Sequence, residues 1–482
     1  MVKKIRRDGR KRKAQRRRVR FGVPDRSLTG SAGVVALGEL FDRLGVIDAL
    51  EVGIGPIKTR DRGLCGGQLL AAVAQCQLLG GQYWADLDRQ RADEAAGLLS
   101  AVPPIPATTA AGLAGRFAPA QLAGIETGNA LVLARGFGML PSGRRRTLTG
   151  GPVTIDMDAT DVEVYGRKKA GVAYNYCGQR AGRPHLATWA EGGLTLAADL
   201  LAGNDDVRPR AAALLGRALA ALPAEVLAGP AERRPVVRAD AGYFTADLAA
   251  AAVEAGCDFA IAAKRNTAMW RAYGGIGESD WAEAIGMNGA QVAACGYAPA
   301  GWPPDSYTIV RRVRLDADQI STDPRSRRRR TIDKAQLALV LDGTAEHAYA
   351  VSFIVTNLPT GQPKWADVRE VEAWFRRRTD IEDRIREAKL GAGMNHLPSG
   401  RAEPNTVWMW GALLAGNLSV LLQALTGIDT DGRAHGIRLR HELLRVPARV
   451  VTHARGLTLR LPPGPQLLPE VLSRLRTLPH PA

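Results

Sequence analysis

The fold of this chain is constrained most by short apolar segments that have the length of β-strands and stop at acidic residues. Residues 153–158 (VTIDMD) alternate apolar and acidic side chains, which is typical of a strand with one polar face. Residues 235–240 (PVVRAD) have the pattern of a buried strand that also ends on an aspartate. Helical patterns over residues 208–222 and 245–255 separate such segments. Strands that alternate with helices in this way predict an α/β fold.

Two regions depart from this alternation. Residues 26–145 are mostly helical in pattern and contain short helices joined by tight turns. Such a region is either a helix-turn-helix reader of DNA or a plain helical bundle, and the pattern fits both. In residues 265–346, the segments 306–315 and 336–341 are predicted strands, with the basic run 325–330 between them. We therefore expect a strand-rich insertion that carries a cationic loop.

Positive charge is concentrated at the N-terminus. The chain has a formal net charge of +17 and a pI near 10.1, and residues 1–20 hold twelve Lys or Arg and one acid. We predict that residues 1–25 form a disordered basic arm, because so dense a run of like charges does not fold alone. Arg16, Arg17 and Arg18 are candidate contacts to DNA phosphates, which would make binding steeply salt-dependent. An arginine-rich composition bias is the alternative explanation of the charge.

Cysteine usage and hydropathy restrict the compartment. The five cysteines are scattered without a CxxC pair, and no histidines stand at zinc-ligand spacing, so we expect neither a disulfide framework nor a zinc site. This fits a reducing cytoplasm. The most apolar stretch, residues 408–425, is nearly long enough to span a bilayer. Because it contains Asn417, Ser419 and Gln423, we interpret it as a buried core helix and predict no membrane role.

Three acids stand at the ends of α/β elements, where open α/β sheets bind ligands. Asp158 and Asp240 each end a strand, and Glu382 lies on a helix after a third strand. Oxygen ligands without His or Cys favour Mg²⁺ or Mn²⁺ over zinc. Two such ions about 4 Å apart support phosphoryl transfer. Asp156 lies two residues before Asp158 on the same strand, so the pattern leaves open which of the two is the ligand, and a strand-end aspartate is also a common helix cap.

The helix around Glu382 carries a specific spacing. Steps of about 3.6 residues place Arg378, Glu382 and Lys389 on one face. Arg378 is suited to position a phosphate and Lys389 to hold the DNA backbone, with Glu382 on a metal between them. The alternative is a solvated helix face stabilised by ion pairs between residues four apart.

These residues resemble a known family. The spacing of Phe375, Arg378, Glu382 and Lys389 is similar to the tyrosine-arginine-glutamate-lysine signature of bacterial insertion-sequence DDE transposases, with Phe in place of Tyr. Asp158-Ala159-Thr160 and Asp240-Ala241-Gly242 resemble the first and second acids of that family. The segments Arg183-Pro184-His185-Leu186 and Gly203-Asn204-Asp205 look most like those of the thirteen-eighty insertion-sequence group.

The resemblance implies an RNase H-like catalytic core with a β-rich insertion, preceded by a helical DNA-binding domain. The predicted regions are a basic arm (1–25), a helical DNA-binding domain (26–148), the first part of the core (149–264), a β-rich insertion (265–346), the second part of the core (347–430) and a C-terminal helical tail (431–482). Asp158, Asp240 and Glu382 would then hold two Mg²⁺ ions, for which Mn²⁺ can substitute. The enzyme would cut at transposon ends and join them to target DNA as a dimer in a paired-end complex.

Further expectations follow from the same resemblance. Some relatives form a DNA hairpin and hold a flipped base on an aromatic residue of the insertion, for which Trp270, Trp281 and Trp302 are candidates by location alone. The alternative functions are a non-catalytic DNA-binding regulator derived from a transposase, and a hydrolase with paired carboxylates such as a glycosidase. We expect a bacterial protein of the cytoplasm, associated with the nucleoid.

Overall fold

The computed structural model describes residues 20–60, 62–229, 233–326, 328–361, 366–428, 435–454, 456–464 and 466–480. Most of the predicted basic arm, including Arg16, Arg17 and Arg18, lies outside these ranges. Over the described residues the chain is a mixed α/β protein with one large sheet and helices packed around it.

The N-terminal region is helical, as the sequence predicts. Gly45 adopts a left-handed conformation (φ 54°) between the first two helices and so turns the chain sharply at that point. The long seventh helix begins with Pro119, whose fixed φ and missing N–H suit the first turn of a helix. The helices are α1 (Val34–Leu44), α2 (Val46–Ile54), α3 (Gly66–Leu78), α4 (Asp86–Ala92), α5 (Glu94–Gly97), α6 (Ala107–Ala114), α7 (Pro119–Gly138) and α8 (Ser142–Gly150).

The sheet begins after α8 and carries the predicted strand ends. The two-residue strand β1 (Leu28–Thr29) near the N-terminus belongs to a second, three-stranded sheet. The first part of the large sheet comprises the strands β2 (Thr154–Ala159), β3 (Val162–Glu163), β4 (Ala173–Tyr174), β5 (Arg180–Trp189), β6 (Leu194–Ala202), β7 (Val236–Ala239) and β8 (Asp258–Ala262). The order across the sheet is β6-β5-β2-β7-β8, in which β6, β5 and β2 are antiparallel neighbours. The pairs β2–β7 and β7–β8 are parallel.

Helices α9 (Arg208–Ala221), α10 (Ala224–Leu227) and α11 (Ala246–Glu254) connect these strands. Helix α9 packs on β6 and on α11, which covers one face of the sheet with alanine and leucine side chains. The crossovers from β2 to β7 and from β7 to β8 contain helices, as parallel strands require.

The insertion extends the same sheet and does not form a separate layer. Helix α12 (Thr267–Gly274) is followed by β9 (Ala282–Glu283), β10 (Ala290–Cys295) and β11 (Tyr307–Asp316), and β11 pairs with β12 (His347–Thr356), which returns to β8. The prediction of a strand at residues 336–341 is wrong, because this segment lies in α13 (Lys334–Leu341). The Asp333 carboxylate caps that helix by accepting from the Ala335 and Gln336 N–H groups at 2.9 and 3.4 Å.

After β12 the chain forms helices α14 (Val368–Arg376) and α15 (Thr379–Arg386), a π-helical turn (Glu387–Gly391) and α16 (Ala402–Thr426). Helix α16 is long and apolar enough to cross a membrane, but 94 % of its apolar window is buried inside the protein. It packs on α3, α7 and β6 and so joins the N-terminal helices to the sheet. The amide of Asn417 donates to Asn129 Oδ1 and to the Thr195 carbonyl, each at 2.9 Å, at the centre of this junction.

The prediction of a wholly helical C-terminal tail is wrong. The described part of that tail contains helices α17 (Gly436–Leu439) and α18 (Leu467–Arg476), a second π-helical turn (Arg440–Leu444) and two strands, β13 (Ala448–His453) and β14 (Gly456–Arg460). The two strands form a hairpin, and β1 adds to it from the other end of the chain. The hairpin itself is local, and main-chain pairing with residues 28 and 29 extends it to three strands.

Candidate active site

The two predicted strand-end aspartates lie at the same edge of the sheet. Strands β2 and β7 run parallel with Met157 opposite Ala239, so Asp158 and Asp240 follow as the next residues of adjacent strands. The carboxyl ends of parallel strands meet at one edge, which is where open α/β sheets place ligands. Local strand patterns thus bring two acids together that are far apart in sequence.

Asp156 and Asp158 have different surroundings. Asp156 is fully buried and accepts two hydrogen bonds from the Arg238 guanidinium, at 2.6 and 2.7 Å. Asp158 lies at the strand end, where its Oδ1 accepts from the Ala159 N–H at 2.8 Å. Burial raises the pKa of Asp158 to about 6, Arg378 lowers it, and the carboxylates of Asp240 and Glu382 raise it further. Asp158 is therefore the acid that faces the other two, and Asp156 belongs to a buried ion pair.

Arg378 lies between two of the three acids. Its Nη1 is 3.4 Å from Asp158 Oδ2, and its Nη2 is 3.5 Å from Glu382 Oε1. The Arg378 side chain is mostly buried, whereas that of Glu382 is 59 % exposed. The guanidinium thus offsets the repulsion of the carboxylates in this structure, and both contacts are longer than charge-assisted hydrogen bonds usually are.

Asp240 acts as a cap as well as a candidate ligand. Its Oδ1 accepts from the Gly242 N–H at 2.8 Å and begins a 3₁₀ turn over Ala241–Tyr243. A Cβ at Gly242 would stand 2.9 Å from this oxygen, so a larger residue there would displace the Asp240 carboxylate. The two interpretations of a strand-end aspartate, a cap and a metal ligand, are compatible at Asp240, because the cap uses only one of its carboxylate oxygens.

Lys389 is turned toward the loop after β2. Its ammonium group donates to Thr160 Oγ1 at 2.6 Å and to the Asp161 carbonyl at 2.9 Å. Burial lowers the pKa of Lys389, whereas Asp161 and Asp158 raise it. In this structure Lys389 therefore fixes the loop that follows Asp158. The predicted contact to a DNA backbone would need the ammonium group to share or exchange these bonds.

The donor chemistry of the three acids fits a divalent cation of the Mg²⁺ type. All are carboxylates, and the mutual repulsion that raises the pKa of Asp158 is what a bound cation relieves. Within the described ranges, no three His, Cys, Asp or Glu side chains are grouped closely enough to hold a metal ion. The side chains of Arg378 and Glu382 would have to rearrange for all three carboxylates to share one ion.

The three tryptophans of the insertion have packing partners. The ring centroid of Trp302 lies 5.1 Å from Phe244 and 5.6 Å from Phe259, and that of Trp270 lies 5.6 Å from Phe353. Trp281 is buried beneath the Arg312 guanidinium, whose Cζ is 4.2 Å from the ring centroid. Their observed contacts are those of core residues.

The sequence reasoning missed Arg238. Besides its two bonds to Asp156, it donates to the Trp374 carbonyl at 2.6 Å and to the Arg377 carbonyl at 3.3 Å. These carbonyls end α14 immediately before Arg378, so one buried guanidinium ties the acid-bearing strands to the helices that carry Glu382. The sequence feature that could have identified Arg238 is an arginine inside a buried strand, since such a residue needs an acidic partner.

A search of curated proteins found no significant match. The cryo-EM structure of the piggyBac transposase synaptic complex with hairpin DNA is similar over 85 % of this chain and 79 % of that chain, with a TM-score of 0.41 and 9 % sequence identity. A family model described as "Transposase DDE domain group 1" matches residues 11–480, which is nearly the whole chain. The chain therefore belongs to the DDE transposase family.

Proposed function

We propose that this protein is a DNA transposase that cuts at transposon ends and joins them to target DNA by Mg²⁺-dependent phosphoryl transfer. The observation that carries the proposal is that Asp158 and Asp240 end adjacent parallel strands, while Arg378 lies between Asp158 and Glu382. The strand order β6-β5-β2-β7-β8, with three antiparallel and two parallel-paired strands, supports an RNase H-like core.

The three carboxylates would hold the metal, as two Mg²⁺ ions or as Mn²⁺ in their place. When bound, the metal supplies charge stabilisation at the attacking and leaving oxygens of the phosphate. Arg378 can move from its carboxylate partners to a DNA phosphate, because its two contacts are long and Glu382 is largely exposed. Lys389 holds the loop after β2 and thereby keeps Asp158 at the edge of the sheet.

The partners follow from the same proposal. The protein would bind the terminal repeats of its element and target DNA, through the helical region and the basic arm, and would act as a dimer in a paired-end complex. The signature around Arg378, Glu382 and Lys389, together with the segments 183–186 and 203–205, supports a place in the thirteen-eighty insertion-sequence group. Such a protein would work in the bacterial cytoplasm at the nucleoid.

The test is cleavage of plasmid DNA that carries the element's own terminal repeats, with Mg²⁺ or Mn²⁺. We expect Glu382→Gln to abolish cleavage and to leave DNA binding largely intact, because the amide keeps the shape but loses the charge. Asp383→Asn is the matched control, since Asp383 lies on the same helix and pairs with Arg386 at 3.2 Å. Full cleavage by Glu382→Gln would refute the assignment. Binding without cleavage by the unaltered protein would instead indicate a non-catalytic regulator.

Asp158→Asn and Asp156→Asn separate the two acids of β2. We expect Asp158→Asn to eliminate cleavage without a large loss of stability, because this carboxylate lies at the strand end. Asp156→Asn should lower stability, because it breaks the buried pair with Arg238. A catalytically dead but fully stable Asp156→Asn variant would reverse the assignment of the two residues.

A further inference from the structure

The loop after the first acid carries three unusually exposed aromatic rings. Tyr165, Tyr174 and Tyr176 are 88 %, 69 % and 83 % exposed. Within the described residues only two other aromatic side chains count as exposed, Phe21 and Tyr83. Three of the five thus stand within twelve positions of one loop. Exposed aromatic side chains that are grouped in one short segment mark a candidate binding surface.

Cations stand between these rings. Arg167 and Lys168 are exposed, and neither has a carboxylate partner among the residues that the structure describes. The neighbouring acid Glu163 accepts from the Tyr165 hydroxyl at 3.3 Å. Interleaved basic and aromatic side chains are the composition of surfaces that bind single-stranded nucleic acid, where rings stack on bases and cations contact phosphates.

The loop is fastened to the protein by its other basic residues. The Arg180 guanidinium donates to the Gly166 carbonyl at 2.6 Å and to the Lys169 carbonyl at 3.0 Å. The Lys169 ammonium group donates to the Leu397 carbonyl. These bonds hold the backbone of the loop while the side chains of Arg167 and Lys168 remain in solvent. The tyrosines therefore project from a fixed platform, which lowers the entropic cost of stacking.

Asn175 links this platform to the candidate active site. Its side chain is buried, and its Nδ2 donates to Asp161 Oδ2 at 2.8 Å, three residues after Asp158. Its Oδ1 accepts from the Cys177 and Gln179 N–H groups at 3.0 and 2.9 Å and so closes the turn. Asn175 is buried, whereas Tyr174 and Tyr176 on either side of it are exposed.

The amino-acid composition of this surface favours one class of ligand. Small residues, Gly166, Gly171 and Gly178 among them, surround the tyrosines, and no aliphatic side chain larger than valine lies between residues 165 and 180. A protein interface usually adds such side chains around its aromatic anchors. Bases inside duplex DNA are stacked on each other, so aromatic rings that stack on base faces bind bases that have left the duplex.

We propose that Tyr165, Tyr174 and Tyr176, with Arg167 and Lys168, form a binding surface for unpaired bases of the DNA strand next to the cleavage site. This inference rests on the proposed transposase function. It assigns the stacking to the loop between β3 and β5, in place of the tryptophans of the insertion, whose rings already pack in the core.

The experiment measures binding of fluorescein-labelled oligothymidylate and of a duplex of arbitrary sequence to the full-length protein by fluorescence anisotropy. Tyr174→Ala and Tyr176→Ala are each expected to weaken oligothymidylate binding about 5- to 150-fold, the range for loss of one stacked base. The duplex affinity should not change. Titrations at several salt concentrations separate the contribution of the basic arm, which depends on salt, from that of stacking.

Tyr174→Phe and Tyr176→Phe are the matched controls, because they keep the ring and remove only the hydroxyl, and they should bind like the unaltered protein. Unchanged oligothymidylate binding by the alanine variants would overturn the proposal. So would a loss of self-association in light scattering that accounts for the weaker binding, since the surface would then contact a second copy of the chain. Cleavage of the terminal repeats by the unaltered protein tests the transposase function separately.

Discussion

Replacing Arg238 by Met should destabilise the protein and misplace Glu382 at the same time. The guanidinium is 1 % exposed, makes two hydrogen bonds to Asp156 and lies 4.9 Å from the Trp374 ring centroid. Removing one partner of a buried ion pair leaves an uncompensated charge, which costs about 3–5 kcal/mol. Burial already raises the pKa of Asp156 to about 6 against the opposing effect of Arg238, so the variant should raise it further. The loss of unfolding free energy in the Arg238→Met variant should be smaller at pH 5, where Asp156 takes up a proton, than at pH 8.

A second substitution separates the two effects. Arg238→Met combined with Asp156→Leu replaces the ion pair by apolar groups of similar volume, a change that is often neutral or stabilising. We expect this double variant to recover most of the free energy of unfolding. It cannot restore the bonds to the Trp374 and Arg377 carbonyls, which hold the end of α14 before Arg378. A displacement of about 1 Å at Glu382 would still lower the cleavage rate about 100-fold.

The assays are urea unfolding followed by circular dichroism, and single-turnover cleavage of terminal-repeat DNA. A single Arg238→Met variant that loses less than about 1 kcal/mol would contradict the energetic argument, because it falls below the range for broken buried pairs. A double variant that recovers both stability and full cleavage would refute the positioning role. Arg238→Lys is a useful control, since an ammonium group keeps the charge and cannot make the forked contact to Asp156.

Three further predictions rest on separate features. Burial raises the pKa of Glu126 to about 7, so the folded protein binds a proton at this carboxylate more tightly than the unfolded chain does. The free energy of unfolding should therefore fall by about 3 kcal/mol between pH 4.5 and 7. Glu126→Gln should lack this fall in urea unfolding across pH, and an equal pH dependence of the variant and the unaltered protein would contradict the argument. Lys389→Met should free the loop at Thr160 and lower cleavage about 10-fold or more with little change in the melting temperature, measured in parallel. Deletion of residues 1–20 should weaken DNA binding and flatten its salt dependence, and an unchanged slope in binding titrations would refute a role for the arm.

The strand ends were predictable because their signals are local. Alternation over residues 153–158 and a buried run over 235–240 each specify a strand without reference to distant residues, and the structure has β2 and β7 there. Parallel pairing then places Asp158 beside Asp240, a consequence of topology that the α/β pattern already implies. The choice between Asp156 and Asp158 was not predictable, because it depends on Arg238 of a neighbouring strand.

The two wrong secondary-structure predictions concern the segment 336–341 and the C-terminal tail. The segment 336–341 (QLALVL) is apolar and short, so its pattern fits a strand or a buried helix, and the cap at Asp333 decides for the helix. Strands β13 and β14 depend on each other and on Leu28 and Thr29, more than four hundred positions earlier. The tail nevertheless carries a strand signal that the prediction overlooked, because residues 456–461 (GLTLRL) alternate apolar and polar side chains.

The spacing of Arg378, Glu382 and Lys389 predicts one helical face, and the structure has the contact between Arg378 and Glu382 but places Lys389 in a π-helical turn. A single straight helix would place all three on one face, but α14 ends at Arg376, α15 spans Thr379–Arg386, and Lys389 lies in a π-helical turn. Arg378 and Glu382 are four residues apart and lie 3.5 Å from each other, and Arg378 also contacts the carboxylate of Asp158, whereas Lys389 holds the loop that follows Asp158. A π-helical turn within a helix often marks a functional site, because it redirects one side chain without breaking the helix. Here Lys389 lies in that turn and donates to Thr160 Oγ1 and to the Asp161 carbonyl, so its position is explained by the loop after Asp158.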